Sequence, residues 1–209
     1  MRMTSVPGSD IPILIPAAGL SSRMRGDDKL MRRIDGVSLL RRQILRACDA
    51  TRGVVIVLLP PAPHDRYSSL SGTRATAVDV PDARDGLSAS LKRGLKALPQ
   101  GSPAAMILLP DLPEITAGDI RKILAPVCSD GRVSMWCATT EDGKPGHPMV
   151  LDAKLFDDFL TLSGDSGARM LRKREEEKNA LRYVALAGNR ARLDLDTPED
   201  GAAWEADRK

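Results

Sequence analysis

Six short apolar runs rich in branched residues, "IPILI", "GVVIVLL", "RATAVDV", "AAMILL", "RVSMWCA" and "HPMVL", are spread through most of the chain. Each has the length and composition of a strand buried on both faces. Between them lie segments of helical period, notably "VSLLRRQILRACDA", "LSASLKRGLKAL" and "TAGDIRKILAPV", the last with Thr116 as N-cap. Such alternation argues for right-handed crossovers onto a mostly parallel sheet with helices on both faces. The expected fold is therefore α/β and Rossmann-like, with ligands at the carboxyl ends of the strands. "LFDDFLTL" and "SGARMLRK" predict two helices joined by a turn at Gly164 and Asp165. "TPEDGAAWEA" predicts a final helix with Pro198 at its first position. Residues 1–10 are expected as a flexible tail and residues 11–209 as a single domain.

Composition narrows the function. With 209 residues, 42% of them hydrophobic, the chain is long enough to bury a full core. Its 31 Lys and Arg and 28 Asp and Glu are interspersed, as in "MLRKREEEK", so the net charge of +3 defines no basic face. Aromatic residues at 3% leave few rings on which bases could stack, which argues against a nucleic-acid partner. Cys48, Cys128 and Cys137 have no CxxC spacing and fit neither a disulfide framework nor a thiolate metal site. The apolar run after Asp10 is too short to span a bilayer, so no membrane partner and a cytoplasmic location are expected.

The stretch "PAAGLSSRMRGDDK", Pro16 to Lys29, empties a strand into small residues and then into spaced cations. It contains neither GxxxxGK[ST] nor GxGxxG. Ala17, Ala18 and Gly19 would let a ligand approach the main chain, Ser21 adds a hydroxyl, and Arg23 and Lys29 offer a fork and a point charge for phosphates. A tight turn with solvated charges is the alternative. In "AAMILLPDLPEIT", Asp111 stands between Pro110 and Pro113, either as a turn residue or placed to ligate a hard cation such as magnesium. "RLDLDTPED" adds Asp194 and Asp196, which share a face if this segment is an extended strand; Asp196 is equally suited to cap a helix. Gly86 precedes a helix whose first turn carries Ser88 and Ser90, suited to bind a phosphate or base edge, although capping also explains Ser88. Only two histidines exist, His64 and His147, which nearly excludes histidine clusters and triads. Phosphoryl and nucleotidyl transfer rest on positioning and charge neutralisation and need no such base.

Taken in order, "PAAGLSSRMRGDDKL", "DGLSASLKRGL", "LLPDLP", "GKPGHPMVL", "LSGDSGARMLRK" and "LDLDTPED" resemble the MobA-like nucleotidyltransferases, especially the molybdopterin cytidylyltransferase branch. The resemblance implies a three-layer α/β/α sandwich of the nucleotide-diphospho-sugar transferase type. It implies that Ala17, Ala18, Gly19, Ser21, Arg23 and Lys29, with Gly86, Ser88 and Ser90, surround a nucleoside triphosphate. Arg23, Lys29 and Asp111 become the catalytic set, and Asp111, Asp196 and Asp194 the Mg2+ ligands. Gly146, His147 and Pro148, with Ser163, Asp165 and Arg169, look like the side that receives molybdopterin. The implied reaction joins the CMP of CTP to the terminal phosphate of molybdopterin and releases pyrophosphate, in the service of a client molybdoenzyme. In this family "AAG" is associated with cytidine and "AGG" with guanosine, and the Ala18 methyl would narrow the base site. Guanylyl transfer from GTP, cytidylyl transfer to another phosphorylated acceptor and a noncatalytic cofactor carrier are the alternatives. The chain departs from the family pattern at Arg25, at Pro110 and at "GVSLL".

Overall fold

A computed structural model describes residues 8–19, 28–127, 131–161, 166–195 and 198–207. Among these, strands are β1 (Ile13–Pro16), β2 (Arg33–Ile34), β3 (Val37–Ser38), β4 (Val55–Leu59), β5 (Thr76–Asp79), β6 (Ala104–Ile107), β7 (Met135–Thr139), β8 (Pro145–Asp152) and β9 (Leu181–Ala185). The α-helices are α1 (Leu39–Ala50), α2 (Leu87–Lys96), α3 (Ala117–Leu124), α4 (Phe156–Thr161), α5 (Ser166–Glu177) and α6 (Pro198–Asp207). Seven strands form one sheet in the order β5-β4-β1-β6-β8-β7-β9, in which β8 alone runs against its neighbours. The mostly parallel α/β architecture is therefore present, with one reversed strand set between β6 and β7.

Strand alternation divides the core into two layers. Ile13 and Ile15 face a cluster with Leu40, Ile44 and Ala47 of α1 and Ile120, Ile123 and Leu124 of α3. Leu14 and Leu58 face the opposite cluster, with Leu91 and Leu95 of α2, Phe159 of α4 and Leu171 of α5. Successive side chains of a strand point to opposite faces, so β1, β4 and β6, buried at every position, had to be apolar throughout to satisfy both layers, whereas β5 at the sheet edge is partly exposed and carries Thr76 and Asp79. Thr116 caps α3 as expected, and Asp119 completes a capping box by accepting from the Thr116 N–H.

Three features differ from the sequence reading. Residues 8–10 do not belong to a tail: Gly8–Asp10 form a helical turn, the Ser9 carbonyl accepts from Arg52 N–H, and Asp10 pairs with the Arg52 guanidinium. β9 is an additional edge strand, parallel to β7. β2 and β3 make a two-residue hairpin whose Asp35 and Gly36 both have positive φ, the pattern of a type I′ turn. That hairpin accounts for "GVSLL": Val37 ends the register with Ile34, and the Ser38 hydroxyl caps α1 by accepting from Arg41 N–H. No helix among the described residues is long and apolar enough to cross a membrane.

Candidate active site at the carboxyl edge of the sheet

Topology gathers the polar loops at one edge. The loop after β1, the α2 N-terminus after β5, the Asp111 loop after β6 and the segment after β9 all leave carboxyl ends of parallel strands. Because β8 is reversed, its beginning joins them: Met149 pairs with Ile107, which brings His147 and Pro148 beside the end of β6.

The centre of this edge is an ion pair. Lys29 Nζ donates to Asp111 Oδ2 at 2.8 Å, and each side chain keeps 18% of its surface exposed. Lys29 opens a short helical turn capped by Asp28, whose Oδ1 accepts from Leu30 N–H at 3.0 Å. Asp111 is held through its neighbours, since the buried Gln43 amide donates to the Leu112 carbonyl at 2.6 Å and Arg46 donates to the Pro113 carbonyl at 2.8 Å. Helix α1 thus anchors the Asp111 loop on two successive carbonyls. The other Asp111 oxygen, Oδ1, is buried and has no hydrogen-bond partner among the described residues. An unpaired buried carboxylate oxygen costs about 1–3 kcal/mol, so it suits a cation that arrives with the ligand.

Leu195 N–H donates to the Asp111 carbonyl at 3.2 Å, which docks the segment after β9 onto the same loop. Leu193–Leu195 are not assigned to a strand, and Asp194 is exposed, one residue from the contact. Among the described residues no group of three or more His, Cys, Asp or Glu is assembled as a metal cage. Magnesium is typically held by one or two carboxylates with waters and substrate phosphates, and an Asp111 carboxylate oxygen without a partner among the described residues fits that mode.

The small residues of the first loop divide unequally. Ala17 and Ala18 are each 1% exposed and their methyls lie in the opposite core layers, whereas Gly19 is exposed with no atom of the described residues within 4 Å of where a Cβ would stand. The expectation that the Ala18 methyl narrows a base site is therefore corrected: that methyl packs into the layer beneath α2. Only Gly19 offers open main chain. At the α2 N-terminus, Gly86 occupies the cap position and no side chain caps the first turn. Capping does not explain Ser88, which lines a hollow with Asp82, Asp85 and Lys92, and Ser90 is buried at 3% exposure.

Across the edge, His147 N–H donates to the Ala191 carbonyl at 2.8 Å, and a Cβ on Gly146 would stand 2.0 Å from that same oxygen. Glycine at 146 is required by this close approach. The His147 residue keeps some surface, but its Nδ1 is buried without a partner among the described residues. Burial lowers its pKa to about 4, overcoming the opposing pull of the Asp111 carboxylate and of a hydrogen bond to the Ile107 carbonyl. The ring is neutral at pH 7. Pro148 is buried, and Arg169 lies exposed on α5. Ser21, Arg23, Arg25, Ser163, Asp165 and Asp196 lie outside the described residues, as do Gly164 and Cys128.

Sequence reasoning missed Arg66. It projects from a helical turn, Asp65–Leu70, after β4, the strand next to β1, and its side chain is 3% exposed. Nε and Nη2 grip the two oxygens of Asp28 at 2.6 and 2.8 Å, while Nη1 donates to the Ala17 and Gly19 carbonyls at 2.6 and 2.8 Å. Burial alone would raise the Asp28 pKa, but the Arg66 fork and the Leu30 N–H hold it below the ordinary value. "PHDRYSSL" carries no periodic or motif signal for this residue.

An α/β protein with a cation, a carboxylate and open main chain at the carboxyl edge of its parallel strands belongs to the class that binds ligands at that edge. The model of the MobA-like NTP transferase domain matches residues 13–179, and the chain belongs to that family of nucleotidyltransferases. Comparison with curated proteins finds no match in sequence. Among solved structures, Rv0371c from Mycobacterium tuberculosis H37Rv is similar at 24% identity and a TM-score of 0.79, covering 93% of this chain and 96% of that one. A nucleotidyl transferase from Methanothermobacter thermautotrophicus is similar at 22% identity and 0.76, covering 95% and 97%. A CMP:2-keto-3-deoxy-manno-octonic acid synthetase complexed with CTP is similar at 15% identity and 0.74, covering 96% and 100%. These likenesses extend the same fold across both chains.

Proposed function

We propose that this protein is a cytoplasmic cytidylyltransferase that joins the CMP of CTP to the phosphate of a molybdopterin-type acceptor and releases pyrophosphate. The observation that carries the reading is the Lys29–Asp111 pair at the carboxyl edge, with one Asp111 oxygen engaged by the ammonium and the other buried without a partner among the described residues. The acceptor phosphate is itself an anionic nucleophile, so positioning and charge neutralisation can drive the transfer without a base. Neutral His147 agrees with this, since it lies at the edge without acting as a cation. Lys29, on leaving Asp111, neutralises phosphate charge that grows in the transition state, and Gly19 lets the triphosphate lie against the main chain. Asp111, with Asp194 and Asp196 flanking the Leu195 that donates to the Asp111 carbonyl, would hold magnesium, which when bound supplies charge stabilisation on the transferring phosphates. Gly146, His147 and Pro148 form the wall on which the acceptor would rest.

The choice of CTP rests on the likeness of "PAAGLSSRMRGDDK" to the cytidine-using pattern, not on a methyl contact at Ala18. The test is pyrophosphate release by the purified protein with magnesium, molybdopterin and each of CTP, GTP, ATP and UTP in turn. Release with CTP alone is expected. Release with GTP alone would replace the base and keep the reaction class. No release with any nucleotide, together with tight molybdopterin binding, would make the protein a carrier that delivers cofactor to a client enzyme.

A further inference from the structure

We propose that Arg66 is a positioning residue for the nucleotide site, fixing the Ala17–Gly19 main chain and Lys29 in one relation to each other; this rests on the nucleotidyl-transfer reading above. A buried guanidinium is tolerated only where its donors are satisfied, and here they are spent on two separate pieces of the candidate site. Nη1 holds the carbonyls of Ala17 and Gly19, at the exit of β1. Nε and Nη2 hold both oxygens of Asp28, the residue that caps the turn beginning at Lys29. Through that cap the guanidinium sets the backbone from which Lys29 reaches Asp111. The open face of Gly19 and the ammonium of Lys29 are thereby referenced to one planar group.

The charge of Arg66 is neutralised by the Asp28 carboxylate at these distances, so it serves the site through geometry and is not a phosphate ligand. Lysine cannot replace it: an ammonium is a point charge and cannot present two parallel donors to a carboxylate and further donors to two carbonyls. Arg74 provides the matching control. It donates to the carbonyls of Gly53, Cys48 and Thr51, which precede β4 at the opposite edge of the sheet, and touches nothing in the candidate site.

The experiment compares wild type, Arg66→Lys, Asp28→Asn and Arg74→Lys in the full chain. Calorimetric binding of CTP and of GTP with magnesium is measured beside thermal melting and pyrophosphate-release kinetics. For Arg66→Lys we expect CTP affinity to fall at least about tenfold, the scale on which small misplacements act. The CTP KM should rise while the acceptor KM holds. Asp28→Asn keeps the Arg66 contacts to Ala17 and Gly19 and is expected to weaken CTP in the same direction by less, so a folded variant is at hand if Arg66→Lys unfolds. Arg74→Lys should lower the melting temperature without moving CTP affinity. CTP binding within about twofold of wild type in folded Arg66→Lys or Asp28→Asn overturns the proposal. So does an equal weakening in Arg74→Lys, which would make the effect one of general stability. Wild-type protein that binds neither CTP nor GTP defeats the nucleotidyl-transfer reading itself, and that outcome is seen before any variant is compared.

Discussion

Replacing Asp111 by asparagine separates its chemical role from its structural one, because the side chain keeps its shape while losing its charge. At 2.8 Å the Coulomb attraction to Lys29 is about 6 kcal/mol at an effective dielectric of about 20, before the cost of removing both charges from water. With 18% of each side chain exposed, the net value falls toward that of surface pairs, so about 1 kcal/mol of stability is at stake. In a domain of this size that lowers the melting temperature by about 2–4 °C. The backbone anchors to Leu112, Pro113 and Leu195 do not involve the Asp111 side chain, so the loop keeps its path. Catalysis should suffer far more. A carboxylate that holds the cation neutralising the transferring phosphates is worth about 3 kcal/mol, or a loss of at least about 100-fold in kcat/KM. The assay is pyrophosphate release at saturating molybdopterin, with thermal melting on the same samples and calorimetric CTP binding, which should persist. If kcat/KM stays within about threefold while the melting temperature drops by the expected few degrees, Asp111 is a turn residue and the catalytic argument is wrong.

Other consequences follow from the same geometry. Gly19→Ala meets no atom of the described residues within 4 Å and needs no positive φ, so melting should hold or rise, by up to about 1 kcal/mol of stability, while the CTP KM increases; an unchanged KM would show that no ligand lies against this main chain. Gly146→Ala places a methyl 2.0 Å from the Ala191 carbonyl oxygen and should cost about 1–3 kcal/mol, read as a lower melting temperature and faster proteolysis after Ala185. His147 is held near pH 4, below its ordinary 6.5, so the unfolded chain binds more protons in that window and stability falls as pH drops from about 6.5 towards 4. In metal-free protein, His147→Asn should flatten that acid-side slope in chemical denaturation; an unchanged slope would place the charge change elsewhere. Gln43→Leu removes the donor to the Leu112 carbonyl and should loosen the Asp111 loop, lowering kcat more than the 1–3 kcal/mol stability loss alone explains.

The fold was legible where burial on both faces forced an unbroken apolar run, as in "GVVIVLL" and "AAMILL". β9 escaped because an edge strand need not be apolar: Leu181–Ala185 is largely exposed along its length. The reversed direction of β8 left no mark in "HPMVL" either, since a central strand buried on both faces looks the same whichever way it runs. The hairpin was different: "DG" between Ile34 and Val37 is a strong local signal that the helical pattern after it obscured.

The candidate site follows the same physical division. Lys29 and Asp111 stood out because their loops combine a strand end, turn residues and charge in one short segment, and the fold does bring them together. What braces them comes from elsewhere in the chain. Gln43 reaches Leu112 across 69 residues and Arg66 reaches Ala17 across 49, contacts that exist only because α1 and β4 pack beside the loops concerned. Ala18 shows the converse error, in which a small residue beside a motif was read as lining a ligand when the sheet turns its methyl into the core. A loop sequence thus names the groups that can do chemistry, whereas their precision depends on donors aimed at backbone carbonyls by neighbouring elements. Substitutions at Gln43 and Arg66 should therefore disturb nucleotide handling although neither residue belongs to a recognisable motif.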